Sequence, residues 1–150
     1  MKDTITFFVP GTPQALKRHR TFRRGSININ IDPSASDKQT FLALAMQERP
    51  KEPIHHPLTV IMRFDFPRPK SHYNTKGTVK PMAPIMHTSR PDIDNLQKFV
   101  MDALNGVFWA DDAVVCRIEA EKRYSATPGV SVAILEAGVE HFGFINGNSM

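Results

Sequence analysis

The stretch RPDIDNLQKFVMDALNGVFWADDAV, residues 90 to 114, concentrates the groups that could do chemistry. It holds five carboxylates, a third of the 15 acidic residues of a chain whose net charge is +4. They are Asp92, Asp94, Asp102, Asp111 and Asp112. Like charges held close together cost free energy unless something positive lies among them. A metal ion, lysine side chains or water could each supply that compensation.

Asp92 and Asp94 are the first candidates for a metal site. They lie two residues apart in chain that is expected to be extended before a helix, so both carboxylates point to one side. Such a pair attracts a hard divalent cation. Asp94 also has a structural interpretation as an N-cap, with Gln97 completing a capping box. That interpretation leaves Asp92 unexplained.

A helix over residues 95 to 105 is predicted to position these groups, with Gly106 ending it. Its apolar stripe consists of Leu96, Phe99, Val100, Ala103 and Leu104. Lys98 lies one turn after Asp94, where it forms either a routine surface ion pair or the cation that stabilises a phosphoryl transition state. Asp102 is expected to be a second partner of Lys98 rather than a metal ligand.

Asp111 and Asp112 can join the pair only if the chain returns to the start of this helix. Eleven helical residues span about 16 Å. The seven residues from Gly106 to Asp112 reach about 23 Å when extended, so the geometry permits the return without demanding it. Since Val114 and Val115 follow directly, only one of the two aspartates is expected to face the site.

Other schemes fit the sequence less well. An EF-hand loop needs further oxygen ligands and a glycine, but DIDNLQ continues into the helix. No HExxH motif is present, and a single cysteine excludes a thiolate zinc site. His55 and His56 adjoin prolines and are interpreted as surface residues. A D-x-D pair also occurs in sugar-nucleotide transferases, although 150 residues leave little room for donor and acceptor domains.

Positive charge is concentrated in two segments, which favours a polyanionic partner. The first is LKRHRTFRR, residues 16 to 24, which has no acidic residue. Its candidate DNA contacts are Lys17, Arg18, Arg20, Arg23 and Arg24. The second, residues 63 to 90, holds six basic residues against Asp65 alone. An ordinary solvated surface is the alternative.

Length and composition favour one domain in a reducing compartment. The 150 residues, 41% of them hydrophobic, suffice for a single core. Cys116 is the only cysteine, and its apolar neighbours predict a core thiol. No apolar run has the length of a signal peptide or a membrane helix. These features predict a cytoplasmic protein.

The remaining elements are predicted from periodicity and turn residues. They are strands at residues 4–10 and 56–67, the second with one face buried, and a helix at residues 34–49. The basic segment after the first strand and residues 67–90 are expected to be loops, the latter flexible. The runs at residues 113–124 and 129–137 predict a closing hairpin, and the tail from about residue 138 is expected to fray.

The acidic stretch resembles the central signature of the RusA family of Holliday junction resolvases. In RPDIDNLQKFVMDALNGVFWADDAVV, the order D-x-D-N, lysine, D-A-L-N-G and D-D is matched without a gap. PGTPQALKRHR, residues 10 to 20, is similar to that family's passage from a strand to a basic loop. With the closing strands, the similarity covers most of residues 4 to 136.

The resemblance implies a small α+β domain with a mixed sheet of about four strands and two main helices. It also implies a homodimer that binds four-way DNA junctions in a bacterial or phage-infected cell and cuts two strands symmetrically with Mg²⁺ or Mn²⁺. Arg90 becomes a candidate phosphate contact, whereas residues 67–89 align with no pattern. A DNA-binding module without catalysis is the alternative.

Residue by residue, the resemblance makes Asp92, Asp94 and Asp112 the metal ligands. It makes Lys98 the catalytic cation, and Asp111 is a candidate additional ligand.

Overall fold

The computed structural model describes residues 4–138, which form six strands and two α-helices. The strands are β1 (Ile5–Pro10), β2 (Arg20–Arg24), β3 (Ile27–Ile31), β4 (Leu58–Phe66), β5 (Val115–Tyr124) and β6 (Gly129–Glu136). The helices are α1 (Ala35–Ala45) and α2 (Ile93–Leu104). Short 3₁₀ turns cover Met46–Glu48, Lys70–His72 and Asp112–Val114. Neither helix in this part of the chain is long and apolar enough to cross a membrane.

Four strands form one mixed sheet in the order β1-β6-β4-β5. β4 pairs in parallel with β5 and antiparallel with β6, and β6 pairs antiparallel with β1. β2 and β3 form a separate antiparallel pair. The prediction of a small α+β domain, with a mixed sheet of about four strands and two main helices, is confirmed.

β4 is an inner strand of the sheet, and the predicted burial of one face is confirmed, since Leu58, Val60, Met62, Phe64 and Phe66 are all buried. The opposite face is partly open at Ile61 and Arg63. Its buried residues include Thr59 and Asp65, which lie on the face away from the helices. Asp65 Oδ1 is 3.3 Å from Arg63 Nε and 3.1 Å from Arg123 Nε. The two guanidinium groups compensate the buried carboxylate.

β5 and β6 do not form the predicted hairpin, because β4 lies between them. The connection after β5 crosses the end of β4, where Ser125 N donates to Phe66 O at 2.9 Å. Turn residues show where the chain reverses, but they do not show which strand it then pairs with. β4, which is buried along the whole of one face, takes an inner position and separates β5 from β6.

Both helices pack on one face of the sheet and build the core. The apolar stripe predicted for α2 is confirmed, since all five members are buried. The Phe41 ring of α1 meets the Phe99 ring of α2 edge-on, with centroids 5.8 Å apart. Phe7 of β1 lies 5.4 Å from Phe108, just beyond the C-terminal end of α2. These contacts hold α2 against the sheet along its length.

The basic segment after β1 is a hairpin of β2 and β3, so the predicted loop is wrong there. Gly25 and Ser26 form its two-residue turn, and the φ of 64° at Gly25 suits the first central position of a type II′ turn. Glycine followed by serine is a hairpin signal that the sequence does carry. β2 lacks the alternation of apolar and polar residues that usually predicts a strand, because every residue of β2 is exposed and three of them are arginines.

Cys116 is exposed, so the predicted core thiol is also wrong. It lies on β5, an edge strand in which no residue is fully buried. Its Sγ lies 3.4 Å from Val114 O. The pairing with β4 shifts register here, with Val115 opposite Leu58 and Arg117 opposite Thr59, so Cys116 has no partner residue on β4. Apolar neighbours in the sequence do not reveal such a shift.

Residues from the long segment after β4 lie against the outer edge of β5. Met86 forms a bridge with Arg123, and Tyr124 N donates to Ile85 O at 2.9 Å. The flexibility expected of residues 67–90 stays a prediction. The expected fraying of the tail concerns residues outside the described part of the chain.

His87 fastens this segment to the sheet. Its ring stacks on Phe66 with centroids 4.0 Å apart and meets Tyr124 edge-on at 5.1 Å. Its Nδ1 is buried without a hydrogen-bond partner among residues 4–138. Burial, together with the positive charge of Lys122, lowers the pKa of His87 below its ordinary value. The ring is therefore neutral at neutral pH.

Replacing His87 with phenylalanine should weaken the pH dependence of stability. The unfolded chain binds this proton near pH 6.5, and the folded chain binds it only at lower pH, so acidification below pH 6.5 lowers the free energy of unfolding of the wild type. His87→Phe keeps the stack on Phe66 and binds no proton. Urea unfolding at about pH 7.5 and about pH 5.5 measures the difference. An equal loss of stability in both proteins would contradict the buried neutral ring.

Candidate active site

The start of α2 presents Asp92 and Asp94 to solvent. Asp92 is the N-cap, with φ −71° and ψ 148°, and Asp94 lies in the first turn. The predicted N-cap at Asp94, paired with Gln97, is wrong because the helix begins two residues earlier and no side chain caps it. The expected extended chain through both aspartates is wrong for the same reason, since Asp94 is already helical. Both aspartates are exposed, and neither carboxylate has a hydrogen-bond or ion-pair partner within residues 4–138. Both carboxylates are available to a ligand.

The charge around the two aspartates is only partly compensated. The helix N-terminus carries a partial positive charge that stabilises acids in its first turn. Arg90, joined to Pro91 by a cis peptide bond, lines an open depression together with Asp92 and Asn95. A helix dipole stabilises each exposed charge by less than about 1 kcal/mol, so a bound cation would add substantially to this stabilisation.

Lys122 of β5 holds the segment that leads into α2. Its Nζ donates to Ser89 O at 2.7 Å and to Pro91 O at 2.9 Å. Leu16 N donates to Asn95 O at 3.0 Å, so the start of the basic segment lies against the first turn of α2. Sequence reasoning missed Lys122, and no local signal marks it, because the contact to Pro91 joins residues 31 positions apart.

Lys98 is exposed one turn after Asp94 and has no ion-pair partner within the part of the chain that the structure describes. Asp102, its predicted second partner, instead lies 3.6 Å from Lys38 Nζ of α1. That prediction is wrong because α1 packs beside α2 and supplies a closer cation. Lys98 is therefore available to an anionic ligand such as phosphate.

Asp111 and Asp112 lie at the opposite end of α2 from Asp92. The chain turns immediately after the helix, with Gly106 N donating to Trp109 O at 2.7 Å, and enters β5 beside the start of β4. The return permitted by chain length does not occur. The 12 residues of α2 separate the two places by about 18 Å. Within residues 4–138, no three His, Cys, Asp or Glu side chains are grouped closely enough to hold one metal ion.

Each of these two aspartates has a local hydrogen bond. Asp112 Oδ1 accepts from Trp109 Nε1 at 2.8 Å, which satisfies the indole of a fully buried ring. Asp111 Oδ1 accepts from Ala113 N at 3.1 Å and caps the 3₁₀ turn before β5. Asp112 is half-buried and retains a second carboxylate oxygen for a further ligand.

Two of the three predicted carboxylate ligands could bind one hard divalent cation in a single chain. Asp92 and Asp94 offer carboxylate oxygens open to water, as Mg²⁺ and Mn²⁺ prefer, since these ions bind one or two carboxylates and retain water ligands. Asp112 of the same chain is too distant to share that ion.

The predicted cations of the first basic segment are exposed. They are Lys17, Arg18, Arg20, Arg23 and Arg24. At the base of the hairpin, Lys38 Nζ contacts Asp32 at 2.6 Å, and His19 Nε2 lies 3.6 Å from the same carboxylate. The hydrogen bonds from the Lys38 side chain and the Ser34 backbone lower the pKa of Asp32. This contact holds the root of the basic hairpin on α1.

Comparison with known proteins identifies the family of this chain. Residues 10–135 match the family model described as endodeoxyribonuclease RusA. One relative, "Uncharacterized protein YqaN" of Bacillus subtilis (strain 168), is 36% identical over 145 residues, which is 89% of this chain and 97% of the relative. The family match spans both ends of α2 and reaches from the last residue of β1 into β6. The chain belongs to the RusA family of endodeoxyribonucleases.

Proposed function

We propose that this protein resolves four-way DNA junctions by two symmetric, divalent-metal-dependent strand cuts. Membership of the RusA family supports an endodeoxyribonuclease that acts on Holliday junctions. The observation that carries the metal-dependent mechanism is the start of α2, where Asp92 and Asp94 are exposed and without partners in the described chain, one turn from Lys98. Such a substrate would place the protein in the cytoplasm of a bacterial or phage-infected cell.

In this mechanism Asp92 and Asp94 would hold the metal at the start of α2. The chemistry that Mg²⁺ or Mn²⁺ would supply there is a lowered pKa of a water and compensation of negative charge at the scissile phosphate. Lys98 donates to a phosphate oxygen as charge builds up there. Arg90, on the rim of the depression, contacts a neighbouring phosphate. Water attacks phosphorus as the bond from phosphorus to one sugar oxygen breaks, and that oxygen leaves and takes up a proton from solvent, so no side chain forms a covalent bond.

The third proposed ligand, Asp112, would come from a second copy of the chain. Within one chain it lies at the other end of α2 from Asp92, and that helix is about 18 Å long. A junction cut at two symmetric positions needs two sites, which an isologous homodimer supplies. Each site would then combine Asp92 and Asp94 of one copy with Asp112 of the other. Asp111 is the weaker candidate because its Oδ1 already caps a turn.

Cutting should require a divalent metal and both carboxylates of α2. A synthetic four-way junction with Mg²⁺ should acquire paired nicks, and EDTA should abolish them. Asp92→Asn or Asp94→Asn should slow cutting by roughly 1,000-fold while junction binding is kept or strengthened, because a repulsive charge is removed. Asp102→Asn is the control with the same charge change, next to Lys38, and should retain activity.

Three results would contradict the proposed active site or the proposed function. Undiminished cutting by Asp92→Asn would show that the site is wrong. Tight junction binding without nicks under Mg²⁺ or Mn²⁺ would favour a DNA-binding module without catalysis. Nucleotide binding with no affinity for DNA would favour a sugar-nucleotide transferase.

Lys98→Ala should lower the single-turnover cutting rate by about 100-fold and affect junction affinity much less. The reason is that Lys98 acts on charge that develops during the reaction. Lys51→Ala, which removes an exposed lysine outside α2, is the control and should leave the rate unchanged. Equal losses of rate and affinity in Lys98→Ala would make this residue a phosphate contact only.

Mixing two inactive variants, Asp92→Asn and Asp112→Asn, should restore nicking. If sites combine two copies, each mixed dimer holds one intact site, so a 1:1 mixture contains about a quarter of the wild-type number and gives single nicks. Asparagine keeps the oxygen that accepts from Trp109. Asp92→Asn mixed with Asp94→Asn is the control and should stay inactive. No restoration in the first mixture would contradict shared sites.

A further inference from the structure

The β2–β3 hairpin has two chemically different faces. Paired residues share a face and successive residues alternate, so Arg20, Phe22 and Arg24 lie together on one face. Their partners on β3 are Ile31, Ile29 and Ile27. The opposite face is polar and consists of Thr21, Arg23, Asn28 and Asn30. The first face, here called the Phe22 face, combines a ring and three isoleucines with two guanidinium groups.

The Phe22 face is uncovered. The exposed fraction is 47% for Phe22, 67% for Ile27 and 43% for Ile31. Neither strand of the hairpin pairs with the four-stranded sheet. The buried core is formed by other residues, so this apolar surface is not needed to complete it. An apolar strip rimmed by charge is typical of a binding surface.

The root of the hairpin is fixed on the two helices. Leu16 N donates to Asn95 O in the first turn of α2 at 3.0 Å. Lys17 N donates to the buried Ser34 Oγ at 2.8 Å. Asp32, which follows β3, contacts Lys38 of α1, and Lys38 also lies 3.6 Å from Asp102 in the C-terminal half of α2. The hairpin therefore leaves the domain alongside α1 and α2.

The charge of the hairpin favours DNA over a second protein as the occupant of this face. Residues 16–31 hold five lysines and arginines and no acidic residue. Arg20 and Arg24 are four residues apart on one strand, which separates them by about 13 Å with Phe22 midway. Two copies of this face would repel each other, whereas DNA offers phosphates to both arginines and a base to the ring.

We propose that Phe22 inserts at a base step next to the junction branch point while Arg20 and Arg24 bind the phosphates on either side. The proposal rests on the junction-cutting function above. Base pairs at a branch point border a break in the helical stack, so unstacking costs least there. Phenylalanine is one of the residues that proteins use as such a wedge, beside arginines that hold the backbone.

Base unstacking can be measured with 2-aminopurine placed at the branch point of a synthetic junction, in EDTA so that no strand is cut. Wild-type protein should raise the fluorescence on binding. Phe22→Ala should remove that rise and weaken binding by about 10-fold. Phe22→Tyr retains a ring and should restore most of both. Far-UV circular dichroism should be unchanged in both variants because the side chain is exposed.

Arg23 provides a matched charge control. Arg23→Ala and Arg24→Ala remove the same charge from neighbouring positions, but Arg23 lies on the polar face, where its Nε donates to Gly25 O at 3.1 Å. Arg24→Ala should weaken junction binding several-fold more than Arg23→Ala. Equal effects would mean that the hairpin acts as diffuse positive charge and would overturn the insertion.

The remaining outcomes separate this proposal from the junction-cutting function. If the Phe22→Ala variant binds and unstacks the junction like the wild type, the insertion is overturned, even if the wild type cuts. A change in sedimentation of Phe22→Ala without DNA, with the fluorescence rise intact, assigns the face to a second copy and also overturns it. Wild-type protein that unstacks the branch point but never cuts leaves the insertion standing and refutes the nuclease. Wild-type protein that binds no junction refutes both.

Discussion

The parallel pairing of β4 with β5 is the constraint on which the rest of the molecule depends. Parallel neighbours need a crossover, and α2 supplies it by packing its buried stripe on the sheet. The helix must then run back along the sheet, so its two ends lie at opposite ends of the strands. Asp92 and Asp94 fall at one end and Asp112 falls at the other. The packing of α2 on the sheet therefore separates Asp92 and Asp94 from Asp112.

The end that carries Asp92 is assembled from distant segments. Lys122 of β5 holds the backbone at Ser89 and Pro91, while Leu16 joins the basic segment to the first turn of α2. His87, stacked on Phe66, fixes the preceding segment on the edge of β5. These contacts involve side chains and backbone away from the carboxylates themselves. The aspartates are thus exposed on a backbone that is held in place, which would suit the metal-binding role proposed for them.

Patterns that depend on neighbouring residues predicted the fold well. The apolar stripe of α2, the first strand and the apolar run of β4 follow from periodicity, because burial on one element repeats at a fixed spacing. Which strand pairs with which was harder to predict from the sequence. The turn after Tyr124 indicated a hairpin, yet β4 separates β5 from β6. Cys116 has apolar neighbours but lies exposed on an edge strand, since burial depends on what packs against a strand.

The sequence by itself determined which groups could act: the order of Asp92, Asp94, Lys98 and the later aspartates carries the family signature, and this order is fixed covalently. It also determined that the basic segment lacks acids. Only the tertiary structure decided which of these groups lie together. Chain length allowed Asp112 to return to Asp92, but the buried turn at Trp109 directs it into β5 instead. A flexible chain of this length could follow many paths. Burial of the indole and the adjacent apolar side chains stabilises one of them, so packing decides where Asp112 lies.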